Sequence, residues 1–225
     1  MALFDDYAEE YESWYATAKG KTAWRLEREA LLRLLEPLPG ERVLEIGCGT
    51  GILSREMADR GLEVTGIDIS TAMLDVARKN NRSSNITFLC ADGANLPFPE
   101  AAYDVVVCFT VLEFVARPED VITEAWRVLK PGGRLLIGFL NRLSPWAVAR
   151  RGRGVFARAR FYTHWEMLRL AGTLLQASQI KWTGVIYFPP RLGGKGLRFA
   201  GTLDFLGRYI AKPFGAIIIL RIQKK

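Results

Sequence analysis

A short apolar stretch that runs directly into three alternating glycines constrains this chain more than any other feature. Residues 43–46 predict a buried strand, and Gly47, Gly49 and Gly51 follow it before a helix that begins near Ile52. Glycine at such a turn permits positive φ and leaves the backbone bare, so that a ligand can lie where any Cβ would collide. The pattern therefore predicts a binding loop for a nucleoside-type cofactor.

The spacing of this loop and the acids near it indicate which cofactor it suits. A dinucleotide loop reads G-x-G-x-x-G and holds a pyrophosphate at the helix N-terminus, whereas this loop reads G-x-G-x-G and follows Glu45. Asp68 and Asp92 end the next two predicted strands. Asp68 suits ribose hydroxyls, Asp92 an adenine amino group, and Glu45 an ammonium group. S-adenosylmethionine carries all of these groups.

The glycine loop is the first of five motifs that follow one another between about residues 40 and 140. They read VLEIGCGTG at 43–51, GIDIS at 66–70 followed by Met73 and Leu74, ADGANLPF at 91–98, FTVLEF at 109–114 and EAWRVLKPGGR at 124–134. In this order they resemble the class I S-adenosylmethionine-dependent methyltransferases, and specifically the small-molecule group related to the ubiquinone and menaquinone C-methyltransferases. Beyond Arg142 the resemblance is one of fold only, which leaves the methyl acceptor open.

Apolar periodicity predicts alternating strands and helices from residue 43 to residue 139, which is typical of a parallel sheet covered on both faces. Pro-Gly-Gly at 131–133 is expected to break the chain before the last of these strands, and 191–212 is a Gly- and Arg-rich connection. The resemblance implies an α/β, doubly wound, mostly parallel seven-stranded sheet with helices on both faces and an antiparallel last strand, a Rossmann-like methyltransferase fold. The predicted strands are residues 43–46, 62–67, 86–90, 103–109, 133–139, 180–188 and 215–222, and the predicted helices are 23–35, 52–60, 70–80, 118–129 and about 165–175.

A chain of 225 residues is long enough for one good core and short for two domains, so we predict one methyltransferase domain over residues 1–225. Within it, residues 1–36 form an N-terminal lid and helix, 40–140 the cofactor-binding core, and 141–225 a basic acceptor-side segment that closes the sheet. No signal-type stretch or apolar run of about 20 residues occurs, which predicts a cytoplasmic protein without a membrane span. The three cysteines lack C-x-x-C spacing, so buried thiols are expected, and neither a disulfide nor a metal site.

The resemblance assigns cofactor contacts to residues that follow the predicted strands. The amides of the glycine loop, with Cys48 among them, are expected to face the methionyl part of the cofactor. Ile69 and Met73 flank the adenine ring, unless they are ordinary core residues. Asp92, with Gly93 beside it, accepts from the adenine amino group or caps a helix instead.

Two further groups complete the predicted cofactor site. At the end of the fourth strand, Phe109 and Thr110 pass beneath the sulfonium with backbone carbonyls directed at the cofactor. The aromatic, acidic segment at residues 4–15 forms a mobile lid that excludes water, or else a packing element. The complete predicted set is Tyr11, Tyr15, Glu45, Gly47, Cys48, Gly49, Gly51, Asp68, Ile69, Met73, Asp92, Gly93, Phe109 and Thr110.

The chemistry that the resemblance implies is in-line displacement at the sulfonium methyl, with the protein supplying proximity, alignment and dryness. An acceptor that is a carbon acid or a phenol needs a base, and the nearest candidates are Glu113 and His164. His164 is the only histidine, and a structural role is its alternative.

Charge is distributed unevenly along the chain. Residues 142–225 carry 16 Lys and Arg against two acids, whereas residues 1–141 carry 15 against 22. The basic part predicts a small-molecule or lipid-like acceptor that is anionic, or peripheral contact with an anionic membrane surface. A solvated basic face without a partner is the alternative. The residues concerned are Arg150, Arg151, Arg153, Arg158 and Arg160, with Trp146 and Phe156.

Two other functions stay open. An RNA methyltransferase would use the basic part with stacking aromatics, but few aromatics interleave with its arginines. After the fourth strand the chain reads Cys-Phe-Thr-Val-Leu-Glu, and not Asn-Pro-Pro-Tyr or Asp-Pro-Pro-Tyr, which disfavours DNA adenine modification. A nucleic-acid partner is not expected. A non-catalytic S-adenosylmethionine- or nucleotide-binding protein would keep the same loop and acids. The oligomeric state and the methylated atom also stay open.

Overall fold

Seven strands form one sheet in the order β3-β2-β1-β4-β5-β7-β6. The computed structural model describes residues 2–175 and 179–225, so Met1 of the predicted lid lies outside the described residues. Strands β1 to β5 are parallel to one another in the sheet, and β7 runs antiparallel to both β5 and β6. The strands are β1 Arg42–Ile46, β2 Glu63–Asp68, β3 Ile86–Cys90, β4 Tyr103–Phe109, β5 Leu129–Leu140, β6 Ile180–Val185 and β7 Ile217–Gln223.

Helices cover both faces of this sheet, and short 3-10 turns connect several elements. No helix among the described residues is long and apolar enough to cross a membrane. The helices are α1 Ser13–Ala16, α2 Ala18–Leu35, α3 Ile52–Ala58, α4 Thr71–Asn80, α5 Pro118–Val128, α6 Pro145–Arg150, α7 His164–Leu175 and α8 Ala200–Ile210.

Side chains of the central strands alternate between two buried clusters. In β4, Val105 and Val107 pack on one face with residues of α2, α3 and α4, while Val106 and Cys108 pack on the other with residues of α5 and α7. Because both faces are covered, the strands are apolar throughout, as is usual for a parallel sheet. The predicted fold class, including the antiparallel last strand, is confirmed.

From β1 the chain adds β2 and β3 on one side and then crosses to add β4 and β5 on the other side, so the strand order reverses between the neighbouring strands β1 and β4. The loops that leave the carboxyl ends of these two strands separate to opposite faces there. Such a reversal opens a crevice that ligands occupy in open α/β sheets. The three acids predicted to bind a cofactor stand in or just after β1, β2 and β3, beside this point.

One local prediction was wrong, and one helix was not predicted. Residues 131–133 do not break the chain but lie inside β5, because their backbone pairs with the end of the chain: Gly132 N–H donates to Lys224 O at 3.0 Å, and Lys224 N–H donates to Gly133 O at 2.9 Å. The stretch 191–212 contains α8, whose glycines at 201 and 207 weaken the helical pattern in the sequence.

Candidate active site

The glycine loop after β1 is held against β2. The N–H groups of Gly47 and Cys48 both donate to Ile67 O, at 2.8 and 2.9 Å. Gly47 has φ of 73°, and a Cβ there would lie 2.4 Å from Val111 Cγ2. Gly49 has φ of 53°, but a Cβ on it would meet no atom within 4 Å. One glycine thus permits close packing, while the other leaves open space above the loop.

This open space is a cavity of about 350 Å³ at the carboxyl edge of the sheet. Its wall includes every residue of the predicted cofactor set except Gly51. Gly51 precedes α3 and faces the core, where a Cβ would lie 2.7 Å from Phe88 Cζ. The sequence motifs therefore converge on one cavity, with the last glycine serving the packing of the loop.

Asp68 is fixed in this cavity by the backbone around it. Its Oδ2 accepts from Gly49 N–H at 2.8 Å, and its Oδ1 accepts from Ser70 N–H at 2.9 Å. Burial raises the pKa of Asp68, and these backbone hydrogen bonds oppose that rise. Each carboxylate oxygen retains capacity for a second donor, so the group can accept from two adjacent hydroxyls.

Asp92 lies at the exposed rim of the same cavity. Its Oδ1 accepts from Ala94 N–H at 2.9 Å, and a turn rather than a helix follows, so it is not a helix cap. The other oxygen is left for a ligand. Ile69 is largely exposed and Met73 is buried, so only Met73 also serves the core.

Glu45 is buried in the cavity wall and accepts a hydrogen bond from Ser54 Oγ. Burial raises its pKa to about 8, and the nearby Asp68 charge adds to this rise, while the Ser54 hydrogen bond opposes it. Thr50 Oγ1, which the sequence reasoning missed, is buried without a partner among the described residues. A ligand with a cationic group and further polar atoms fits these two neighbours, because it would compensate both.

The chain turns sharply at the end of β4. Thr110 has φ of 51°, and its N–H donates to Gly138 O at 2.7 Å. A β-branched residue in the left-handed region is strained, and such strain collects at functional sites. Thr110 and the preceding Phe109 line the cofactor-side cavity and also a second one.

The second cavity has a volume of about 600 Å³ and opens beside the first. The N-terminal segment covers the boundary, with the Phe4 ring 4.9 Å from the Phe114 ring in an edge-to-face contact. Asp5 Oδ1 accepts from Ser70 Oγ at 2.6 Å, which ties this segment to the loop after β2. The residues shared by the two cavities are Phe4, Tyr11, Tyr15, Phe109, Thr110 and Phe114.

Two charged side chains in the second cavity were not predicted as a pair. Glu27 on α2 is buried, and burial raises its pKa to about 7 although Arg150 opposes the rise. Arg150 on α6 lies over the rings of Trp146 and Phe156, at 4.9 and 5.1 Å from their centroids. Glu27 stands beside Leu26 on the apolar side of α2, and an acid in such a stripe is the signal that could have identified it.

The two predicted bases do not reach either cavity. Glu113 is buried behind the wall, where it accepts from Leu140 N–H, and burial raises its pKa to about 7. His164 begins α7 on the other face of the sheet, with its ring stacked 5.0 Å from the Trp182 ring. Neither residue lines the first or the second cavity. The structure supports the structural alternative for His164, because its ring is packed between tryptophans.

The chain is similar to known methyltransferases in sequence. Residues 44–137 match the methyltransferase domain family. A ubiquinone biosynthesis O-methyltransferase of Coxiella burnetii is 33% identical over 147 residues, which cover 63% of this chain and 62% of that protein. A demethylmenaquinone methyltransferase of Tropheryma whipplei is 42% identical over 111 residues, covering 49% of this chain and 46% of that protein. The chain thus matches less than two thirds of the length of these relatives.

The similarity extends to solved structures. An S-adenosylmethionine-dependent methyltransferase of Thermotoga maritima superposes with a TM-score of 0.77 at 25% identity, covering 99% of each chain. This agreement includes the segments beyond residue 142, where the motifs end. The matched domain, the sheet order and the cavity at its switch point together confirm the resemblance to the class I S-adenosylmethionine-dependent methyltransferases, with residues 44–137 as the methyltransferase domain.

Proposed function

We propose that this protein transfers a methyl group from S-adenosylmethionine in the first cavity to a small-molecule acceptor in the second. The observation that carries the proposal is the contact between the two cavities, which share Thr110 and the aromatic N-terminal segment. A donor and an acceptor held in adjoining sites react with an effective concentration far above that in solution.

The first cavity fits the cofactor group by group. Asp68 accepts from the ribose hydroxyls, and Asp92 accepts from the adenine amino group. Glu45 faces the ammonium group, beside the bare backbone of Gly49. Bound S-adenosylmethionine supplies an electrophilic methyl group on its sulfonium. The other predicted residues that line this cavity are proposed to contact the cofactor as well.

The protein's own contribution is alignment and exclusion of water. Phe4, Tyr11 and Tyr15 cover the boundary between the cavities, and aromatic faces suit a sulfonium. Thr110 holds a strained turn at the same boundary, which fixes the direction of the backbone there. We propose that residues 1–36 supply a lid on the core at 40–140, formed by the segment before α2, together with the helix α2 itself.

The acceptor is a small or lipid-like molecule in this proposal. The ubiquinone and menaquinone enzymes among the relatives are named for quinone pathways, and a ring of that kind fits a cavity lined by Trp14, Trp146 and Phe156. RNA remains the second choice, and a cytoplasmic location is also part of the proposal.

The test combines binding and transfer. Calorimetry should show that S-adenosylhomocysteine binds, while NAD does not. Labelled S-adenosylmethionine should then transfer its methyl group to a small molecule in a cell extract. Binding without any transfer would support the non-catalytic alternative, and label that becomes acid-soluble only after ribonuclease treatment would support the RNA alternative.

A further inference from the structure

Glu27 and Arg150 bring opposite charges into the second cavity but do not pair with each other, and Glu10, Lys19 and Arg153 line the same cavity. Among the described residues, neither Glu27 nor the Arg150 guanidinium takes part in an ion pair or a side-chain hydrogen bond. Burial lowers the pKa of Arg150, and the Glu27 charge opposes that effect. Around them the wall is largely aromatic. Charges withdrawn from water in this way are costly unless a partner compensates them.

We propose that the acceptor is an aromatic or similarly flat molecule that carries an anionic group for Arg150 and a hydroxyl or amino donor for Glu27. This inference rests on the proposed function, because it assigns the second cavity to the acceptor. Arg150 is held between two aromatic rings, which leaves its planar edge for a carboxylate. Glu27 reaches the same cavity from α2.

The experiment measures charge preference with matched probes on protein saturated with S-adenosylhomocysteine. The probes are benzoate with benzamide, 4-hydroxybenzoate with 4-hydroxybenzamide, and indole-3-acetate with indole-3-acetamide. We expect at least one carboxylate to bind about 10- to 100-fold more tightly than its amide. Arg150→Met should abolish this preference, while Arg151→Met, which changes an exposed arginine outside the cavity, should retain it.

The remaining outcomes separate the inference from the function on which it rests. If S-adenosylhomocysteine fails to bind wild-type protein, the proposed function fails. If it binds but no carboxylate is preferred, or if the preference survives in Arg150→Met, only the acceptor inference is overturned. Binding of S-adenosylhomocysteine to the Arg150→Met variant shows that this protein is folded. A 4-hydroxybenzoate affinity that Glu27→Gln leaves unchanged would overturn the role of Glu27.

An independent observation concerns α8, which exposes its large apolar residues. Phe205 is 61% exposed, Tyr209 75% and Ile210 83%. The helix packs through Ala200, Asp204 and Gly207, and a Cβ on Gly207 would lie 2.1 Å from Tyr187 Cγ. The small side therefore faces the protein and the apolar side faces outward, which is the reverse of an ordinary surface helix.

The exposed charges of the chain segment that carries this face are of one sign. Asp204 is the only acid between residues 190 and 214, and it is buried, accepting from Ile186 N–H at 2.7 Å and pairing with Arg208. Exposed basic residues precede the helix at Arg191, Lys195 and Arg198. In a symmetric dimer these basic residues would face their own copies, and the like charges would repel each other. The surface is complementary to anionic lipid headgroups with apolar chains beneath them.

We infer that α8 docks on an anionic membrane surface. This corrects the sequence prediction of a membrane surface at 146–160, because Trp146 is buried, with Nε1–H donating to Phe188 O at 2.8 Å, and Arg150 lines the second cavity. The apolar side chains of α8 would enter the headgroup boundary, and the basic residues would meet the headgroups.

Sedimentation with vesicles tests this docking. Wild-type protein should sediment with phosphatidylcholine vesicles containing roughly one third phosphatidylglycerol, but not with phosphatidylcholine alone, and salt should release it. The double variant Phe205→Ser with Ile210→Ser should lose at least tenfold in binding, whereas Val148→Ser, at a residue 80% exposed outside α8, should not. Equal loss in both variants, or indifference to vesicle charge, would overturn the inference. A vesicle-independent dimer that the double variant abolishes would assign the face to a second copy instead.

Discussion

The two cavities meet at Thr110 but are built in different ways. The first is made by loops that leave β1, β2, β3 and β4, and its polar groups are backbone amides and carboxylates tied to them. The second is made mainly by α2, α6 and the N-terminal segment, and its wall is rich in aromatic residues, with Glu27 and Arg150 unpaired among its charged side chains. A sheet edge supplies a constant geometry for a common cofactor, whereas the appended segments can vary with the acceptor.

The largest effect should come from a change that affects only the first cavity. Asp68→Ala removes a charged acceptor of two ribose hydroxyls. The expected loss of binding free energy is about 1.5–3 kcal/mol, or about a 10- to 150-fold rise in the Kd for S-adenosylhomocysteine. Calorimetry measures this, with Asp75→Ala on the exposed side of α4 as the control. Unchanged affinity in Asp68→Ala would show that the ribose lies elsewhere.

Alanine substitutions in the glycine loop should separate folding from binding. Gly47→Ala should lower the free energy of unfolding by about 1–3 kcal/mol more than Gly132→Ala, because both have positive φ but only Gly47 would meet Val111. Gly49→Ala should match Gly132→Ala in stability, because neither added Cβ meets another atom. It should nevertheless weaken the binding of S-adenosylhomocysteine, because the Cβ of residue 49 would point into the space proposed for the ligand. Urea unfolding and calorimetry measure the two effects. Equal stability of all three variants would contradict the packing role of Gly47.

The same contrast explains what the sequence could predict. The strand ends and the loop residues of the first cavity are contiguous motifs, so the sequence alone is enough to assign Gly49 and Asp68 to one site. Glu27 and Arg150 are distant in sequence and meet only because α2 and α6 pack on the same face. The placement of His164 outside both cavities was likewise not predictable, because its position along the chain does not reveal which face of the sheet α7 covers.

The electrostatics of Glu45 should make the first cavity sensitive to pH. In the unfolded chain Glu45 ionises near its usual pKa of 4.5, whereas in the folded protein it keeps its proton until about pH 8. The unfolded state therefore releases a proton first, and the free energy of unfolding should fall as pH rises from about 5 to about 8. Glu45→Gln should make this fall smaller, because glutamine does not titrate, and urea unfolding measures the difference. Glu27 and Glu113 also have raised pKa values and act in the same direction. The informative quantity is therefore the difference in pH dependence between the wild-type protein and Glu45→Gln.

An ammonium group beside Glu45 should reverse that trend for binding. The ligand's positive charge favours ionised Glu45, so binding releases a proton and the affinity for S-adenosylhomocysteine should rise between about pH 6 and about pH 8. Calorimetry in buffers of different ionisation enthalpy measures the proton. The Glu45→Gln variant should bind with little pH dependence over this range. A wild-type affinity that does not change with pH would place the ammonium group away from Glu45.

The smallest effect should appear where the two cavities share a wall. Among residues 4–16 only Ala8 is buried. The segment is held by aromatic edges, by the Asp5–Ser70 hydrogen bond and by the part-exposed Glu12–Arg55 ion pair, so opening it costs little. Because its rings also line the first cavity, S-adenosylhomocysteine should slow hydrogen exchange in this segment several-fold. Exchange in α5, most of which lines neither cavity, should not change. Phe4→Ala should reduce that protection, because it removes the contact with Phe114 that joins the segment to the turn after β4. Exchange that is equally fast with and without the ligand would make the segment a static wall, and the two cavities would then be coupled only through Phe109, Thr110 and Phe114.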